Sequence, residues 1–422
     1  MEGLYGLERY IGHLDINCFY AAVEMLLHPE LRFVPLAICG STEERHGIVL
    51  TANYIAKRQY GIKTGMVNHE ARALCKDLVQ RPPNRKQILR FSAKARKIGL
   101  RYTDRIQGFG PDEFWFDLTG IARSFQEAIE IVNMIRLDFI NELGLTISIG
   151  LANDKITAKL GSDMVKPDGV TLIPKELRKD IVYHLPISDL LYVGPSRTAT
   201  FSLEKIHTIG QLAEAPLWLP KQVLGKVGEM LWSFANGYDV SPVSEDDECE
   251  PGKTIGNSIT AYRDLINEYD AWRFFIMLSE SVAMRCMAQG VKARGMAISV
   301  RNSDLNGYTK QMMFDKPTNR AMDFARGSIE LLKGHFWSMP IRSLGVRARE
   351  LVDAAFHRQL DLYTDEVAIQ RLEDLDRTVF ELREKYHDQN IIQRGVLLTE
   401  DGLKRLKPKD EHLFTPPGQF AV

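Results

Sequence analysis

The order of its short elements constrains this chain more than anything else. Over the first 175 residues, strand-like and helix-like runs take turns. Residues 11–15 read as a short buried strand and residues 18–27 as the opening of an apolar helix. Residues 36–39 and 48–51 read as two more strands, and residues 54–60 as a helix that stops at Gly61. A basic, proline-marked stretch follows at Arg81, Pro82, Pro83, Arg85 and Lys86, and residues 91–104 are again helical. Residues 105–109 and 114–118 are β-like runs joined by Gly110-Pro111-Asp112-Glu113, a composition that favours a tight turn. A helix over 125–143 and a strand over 145–150 complete the pattern. Such alternation argues an α/β or α+β core.

The character changes after about residue 175. Residues 185–237 read as short helices and turns around Val193-Gly194-Pro195-Ser196. Glu245, Asp246, Asp247, Glu248 and Glu250, ending in Pro251-Gly252, have the composition of a connector. Beyond it, helices around 269–289 and 319–334 alternate with strands around 296–301 and 341–348, a second small α+β unit. A helix over 366–386 and a polar end finish the chain.

The formal net charge of −1 conceals a polarity along the chain. Residues 253–349 hold 15 Lys and Arg against 8 Asp and Glu, whereas residues 350–422 hold 10 against 15. The first segment suits phosphates and its neighbour does not. The five cysteines are scattered and show no C-x-x-C pair, which argues against a disulfide framework or a zinc site and for a reducing interior. The first ten residues lack a basic stretch followed by an apolar run, so no signal peptide is expected. No apolar run approaches about 18 residues, so no membrane span is expected.

Three acids stand out by position: Asp15 at the end of the first strand, and Asp112 with Glu113 in the hairpin turn. Acids gather in such places simply because water is there. Carboxylates at strand ends and turns can also meet over one sheet edge, where three of them can hold two divalent ions about 3.5–4 Å apart.

The surrounding residues select the second possibility. Asp15-Ile16-Asn17-Cys18-Phe19-Tyr20-Ala21-Ala22-Val23-Glu24 resembles the opening motif of the Y-family (translesion) DNA polymerases, roughly D-x-[DN]-x-F-[FY]-A-x-V-E. Val49-Leu50-Thr51-Ala52-Asn53-Tyr54-Ile55-Ala56-Lys57, then Gly61 to Gly65, resembles the second motif. Gly108-Phe109-Gly110-Pro111-Asp112-Glu113, with Asp117-Leu118-Thr119 downstream, resembles the third, usually S-x-D-E followed by D-L-T. Ser148-Ile149-Gly150-Leu151-Ala152, Lys155, Ala158-Lys159 and Asp163-Met164-Val165-Lys166-Pro167-Asp168-Gly169 resemble the fourth. The ordered set is far more specific than any one motif, and it covers about residues 10 to 365. Asn17, and Lys57 where Arg is common, point to the UmuC-like and Gram-positive bacterial branches.

The resemblance implies an α+β multidomain right-hand polymerase. Its palm would be residues 1–18 and 86–175, its fingers 19–85, and its helix-hairpin-helix thumb 176–242. An acidic linker, 243–252, would lead to an α+β little finger, 253–350, and a tail, 351–422. It implies low-fidelity, template-directed synthesis from dNTPs on primer-template DNA, damage bypass and repair within an SOS response, and a cytoplasmic, nucleoid-associated bacterial setting. Asp15, Asp112, Glu113 and the Ile16 carbonyl would hold two Mg²⁺ ions, with the three acids catalytic. Phe19, Tyr20, Thr51, Tyr54, Lys57 and Lys159 would hold the nucleotide, with Tyr20 as the ring that crowds a ribose 2′-hydroxyl. Gly110 and Pro111 depart from the usual motif, and Pro111 stiffens the turn that carries Asp112.

Tyr192-Val193-Gly194-Pro195-Ser196 resembles the phosphate-binding hairpin of the family's thumb, with Gly194 and Ser196 at the DNA. Tyr192 stands where the first Gly is usual, and Pro195 lacks an N–H, so a weaker grip is expected. Lys253, Arg294, Arg301 and Arg347, with Lys310, Arg342 and Arg349, are the expected little-finger contacts, sequence-neutral and salt-sensitive. Gln359-Leu360-Asp361-Leu362-Tyr363 resembles the sliding-clamp-binding peptide Q-L-x-L-F, with Gln359, Leu360, Leu362 and Tyr363 as its contacts. Some UmuC-like relatives need an accessory subunit, and the sequence leaves that open here. Two other readings compete: a non-catalytic DNA-binding accessory protein on the same fold, and another two-metal enzyme such as a nuclease. The first would be expected to lack one of the acids, and all three are present. The second leaves Tyr20 and the Tyr54/Lys57 pair unexplained.

Overall fold

A computed structural model of the chain describes residues 8–40, 47–244, 254–335, 337–355, 366–386, 391–392 and 394–398. They belong to two compact units, one within residues 1–250 and one within 251–412. In the first, β1 (Ile11–Ile16) leads into α1 (Phe19–Leu27). Next come β2 (Leu36–Cys39), β3 (Val49–Ala52), α2 (Tyr54–Tyr60), α3 (Asn68–Leu74) and β4 (Val79–Arg81). Then come α4 (Arg85–Gly99), β5 (Ile106–Gly108), β6 (Glu113–Asp117), α5 (Phe125–Asp138), β7 (Ile147–Ala152), α6 (Lys155–Met164) and β8 (Val170–Ile173). Short helices close the unit: α7 (Arg178–Val182), α8 (Pro195–Leu203), α9 (Ile209–Glu214), α10 (Trp218–Leu224) and α11 (Lys226–Asn236).

Five strands form one sheet in the order β5-β6-β1-β7-β8, and three form a smaller one in the order β3-β2-β4. β1 lies at the centre of the larger sheet, antiparallel to β6 and β7. Because strand side chains alternate, its two faces carry different chemistry. Leu14 and Ile16 share a face with Phe114 and Phe116 and pack against α1, α4 and α5 through Phe19, Val23, Ile98 and Val132. Each fully buried side chain of this size contributes about 1.5–3 kcal/mol. Ile11, His13 and Asp15 lie on the opposite face with Trp115 and Glu113, and Ile11 and Trp115 join a core with Ile156, Phe201 and Leu231 of the helical end.

Two boundaries differ from the sequence reading. Helix α4, expected over 91–104, begins at Arg85 within the basic, proline-marked stretch, because the Asn84 side chain accepts from the Gln87 N–H and caps it. Pro82 and Pro83 thus precede the helix and do not break it. The helix expected over 125–143 stops as an α-helix at Asp138 and continues as a wider turn over Phe139–Leu143.

The second unit is a four-stranded antiparallel sheet of β9 (Thr254–Leu265), β10 (Val291–Asn302), β11 (Gly307–Thr318) and β12 (Ile341–Asp353), ordered β11-β10-β12-β9. Helices α12 (Glu268–Ala288) and α13 (Ala321–Leu332) bury one face through Met296, Ile298, Val300, Leu344 and Val346 against Phe274, Phe275 and Phe324. The opposite face carries Arg347, which is exposed and opposite Ala297 and Gly256, and Arg349, opposite Gly295 and Thr254. Last comes α14 (Glu366–Tyr386), tied to this unit by Glu373 with Lys292 and by the buried Arg383 with Glu280 of α12.

Candidate active site

Register brings the acids together. Asp15 pairs directly with Glu113 across β1 and β6, so both carboxylates emerge on one face at one edge. The turn before Glu113 folds back on the same strand: the Ile16 N–H donates to the Asp112 carbonyl at 2.9 Å. Asp112 therefore joins the other two despite Gly110 and Pro111.

Helix α6 supplies the counter-charge. Its N-cap is Asp154, which accepts from the Thr157 N–H at 2.7 Å. The helix lies unusually close to β7, for a Cβ on Gly150 would stand 2.0 Å from the Ala158 carbonyl oxygen. From there Lys159 Nζ donates to Glu113 Oε2 at 2.6 Å. Lys166, just past the helix, pairs with Asp15 at 2.9 Å and with Asp163 at 2.8 Å.

Burial raises the Asp112 carboxyl, and the charges of Asp15 and Glu113 raise it further, to about 7. Burial also raises Asp15 and Glu113, against the pull of Lys166 and Lys159 respectively. Burial works against the Lys166 ammonium, but Asp15 and Asp163 outweigh it and hold the lysine above its usual range. His13 lies on the same face two residues before Asp15. Its own burial, then Lys159 and Lys166, keep its ring neutral.

Among the described residues, no three His, Cys, Asp or Glu side chains already form a metal cage. Two of the three acids are instead held by ammonium groups. Hard oxygen donors short of positive charge are the donor set that suits a hard divalent cation. The strain within the cluster is measurable without any metal. A carboxyl whose folded pKa is raised destabilises the folded state once the unfolded chain ionises. That cost grows from about pH 4 to about pH 7 and is constant above. Asp112→Asn should therefore stabilise the chelator-treated protein at pH 8 by at most about 4 kcal/mol, with the gain vanishing near pH 4. Thermal unfolding at several pH values checks this; a gain that does not change with pH would contradict the raised carboxyl.

The structure distributes the remaining expected residues unevenly. Tyr20 is half-buried, and burial and then the Asp112 charge raise its hydroxyl, so its ring borders the acidic edge. Phe19, expected beside the nucleotide, is the first residue of α1 and buries its ring in the core, 1% exposed, so it is the backbone at the helix start that can meet a nucleotide. The ring faces inward because the helix that presents Tyr20 must bury its neighbour. Tyr54 stands at the start of α2, with Lys57 Nζ 5.4 Å and the Arg58 guanidinium 5.1 Å from its ring centre. Thr51 is on β3, opposite Ile38 and partly exposed.

Gly194 and Ser196 are exposed at the first turn of α8. Tyr192 has φ 70°, which explains why Gly is usual there: the left-handed region costs other residues roughly 1–2 kcal/mol. In the second unit, Arg294 is exposed at a bulge between Ala293 and Gly295, and Arg301 is exposed on the same strand. Lys310 pairs with Ile298 and so stands on the helix-covered side, unlike Arg347. Lys253 and the peptide Gln359, Leu360, Leu362 and Tyr363 lie outside the described residues.

Sequence reasoning assigned no role to His13, Arg58, Asp163 or Lys166. The alternation of β1 signals His13, which is two residues from Asp15 and hence on its face. Asn17, which the sequence offered only as a mark of the branch, is turned inward. Its amide donates to Ser148 Oγ at 3.0 Å, its oxygen accepts from the Asp168 N–H at 2.9 Å, and it is 2% exposed.

The first solved relative sets the fold. A Y-family DNA polymerase chimera of Dbh and Dpo4 superimposes with a TM-score of 0.72 at 20% identity, over 82% of this chain and 99% of the other. The fold is that of a Y-family polymerase. The impB/mucB/samB family model matches residues 14–163, and the model of that family's C-terminal domain matches residues 252–362. DNA polymerase IV of Acetivibrio thermocellus is 43% identical over 95% of this chain and 100% of its own length. DNA polymerase IV of Bacillus velezensis is 33% identical over 94% of this chain and 95% of its own. The chain belongs to the Y-family, impB/mucB/samB polymerases and is a DNA-directed DNA polymerase of the translesion type. Among the described residues, no helix is long and apolar enough to cross a membrane.

Proposed function

We propose that the acidic edge transfers a nucleotide from a dNTP to a primer 3′-hydroxyl with two Mg²⁺ ions. The supporting observation is the convergence of Asp15, Asp112 and Glu113 on one edge, each carboxyl pushed towards its protonated form. The three acids, with the Ile16 carbonyl, would hold the ions. When bound, the ions lower the pKa of the attacking hydroxyl and neutralise the triphosphate. Lys159 and Lys166 release the acids and turn their ammonium groups to the phosphates, joined by Tyr54, Lys57 and Arg58. Tyr20 crowds the sugar and disfavours a 2′-hydroxyl. Gly194 and Ser196 contact the duplex backbone through the first turn of α8. Arg294, Arg301, Arg347 and Lys253 contact it from the second unit.

The division of labour follows the same reading. Residues 1–18 and 86–175 act as palm, 19–85 as fingers, 176–242 as thumb and 253–350 as little finger, with 243–252 as linker. Within 351–422, Gln359, Leu360, Leu362 and Tyr363 dock on a bacterial sliding clamp, in the cytoplasm at the nucleoid. Tethering of this kind raises local concentration without new DNA contacts. Low fidelity and damage bypass belong to the same proposal. The test is primer extension with dNTPs and Mg²⁺ on undamaged and abasic templates, with and without a clamp. Extension on both templates, stimulated by the clamp, is expected. No extension on the undamaged template would overturn the reaction, and extension that ignores the clamp would overturn the peptide's role alone.

A further inference from the structure

Beneath Glu113 lies a buried histidine that the reaction as proposed does not use. His13 is fully buried on the central strand. Its Nδ1 is 2.8 Å from Ser162 Oγ. Its Nε2 is buried without a hydrogen-bond partner and stands 3.6 Å from Glu113 Oε2. That separation is beyond a hydrogen bond. The same carboxylate oxygen is taken by Lys159 at 2.6 Å. The close approach of α6 at Gly150, directly opposite His13, is what brings Ser162 within reach.

A neutral ring has one proton to place, and the surroundings choose where. If Nδ1 carried it, Nδ1–H would donate to Ser162 and the hydroxyl to the Lys159 carbonyl, 2.7 Å away. Nε2 would then turn a bare lone pair towards a carboxylate. If Ser162 donates to Nδ1, the proton sits on Nε2 and points at Glu113, and the Lys159 carbonyl keeps its helical N–H donor. The second arrangement removes the repulsion and aims the buried N–H at the carboxylate, with which it bonds once the two draw closer than 3.6 Å.

We propose that His13 is a positioning residue for Glu113: Ser162 fixes the proton on Nε2, and Nε2–H takes Oε2 when Lys159 releases it. The carboxylate is then held for a cation after its lysine has turned to the triphosphate. Hydrogen bonds behind a ligating carboxylate act in this way at metal sites generally. The inference rests on the reading of Glu113 as a metal ligand.

The experiment uses the full chain with Mn²⁺ as probe, a chain-terminated primer on template, and dNTP, so that no chemistry follows. Bound and free Mn²⁺ are read by electron paramagnetic resonance, and thermal unfolding is followed for every variant. His13→Phe should weaken Mn²⁺ binding about tenfold. His13→Gln, whose amide N–H reaches the Nε2 position, should restore most of it. Ser162→Ala should weaken binding in wild type and change nothing in His13→Phe. Unchanged Mn²⁺ binding in a folded His13→Phe, or no rescue by His13→Gln, overturns the proposal. If His13→Phe does not fold, the Gln and Ser162→Ala variants decide: wild-type affinity in the first with loss in the second supports it, and anything else overturns it. Glu113→Ala separates the two readings. If it leaves Mn²⁺ binding intact, the metal site itself is wrong; if it weakens binding while His13→Phe does not, only the role of His13 fails.

Discussion

Asp112→Ala should abolish primer extension while leaving primer-template binding nearly intact. Asp112 reaches the site through the turn that Ile16 pins by its N–H, and its carboxyl is the most perturbed of the three. Alanine removes a cation ligand and leaves the backbone hydrogen bond in place, so the sheet edge should persist. Charge stabilisation by a bound ion is worth several kcal/mol, so the single-turnover rate should fall by about a thousandfold or more. DNA affinity should change little, because the proposed contacts lie on α8 and the second unit. Gel-based extension and fluorescence anisotropy measure the two quantities. Full extension by the variant would remove Asp112 from the reaction, and a parallel loss of DNA binding would indicate damage to the fold.

Tyr20→Ala should admit ribonucleotides. The ring is half-buried beside Asp112, anchored by Phe19 at 5.9 Å, and cannot easily yield to an added hydroxyl. Forcing an extra atom into a packed contact costs about 1–3 kcal/mol, or roughly 5- to 150-fold in discrimination. The ratio of dNTP to rNTP incorporation efficiency should fall by that factor, with dNTP incorporation itself affected less. Unchanged sugar selection would take Tyr20 out of this role. The burial of Phe19 sharpens the expectation, since of the two adjacent rings one supports and the other is presented.

The acidic edge was legible because strand ends and turns punctuate sequence strongly. Asp15 closes an apolar run and Asp112-Glu113 sits in a Gly-Pro turn, so both positions follow from local rules. Their company was not legible. That Lys166 reaches Asp15, or that Ser162 reaches His13, depends on how closely α6 approaches the sheet, and no local pattern encodes that distance. Asn17 shows the same limit: its place in the opening motif does not tell which way its amide turns, and that was decided by Ser148 and by the Asp168 N–H, more than 100 residues away. The second unit was read from two strands and two helices. Strands β9 and β11 escaped; β11 sets Lys310 on the face of Met312 and Phe314, mixes Gln311 and Asp315 with Met313 on the other, and carries Pro317 next to its last residue, features that weaken a strand signal.

A final consequence follows from residue 150, where there is no room for a side chain. The separation between α6 and the sheet fixes the depth at which Lys159, Ser162 and the loop carrying Lys166 meet the acids. One methyl group added there would lift an entire lever arm, shifting three polar anchors in a single stroke. A hydrogen atom that touches neither metal, sugar nor phosphate thus works as the shim by which the machine is set.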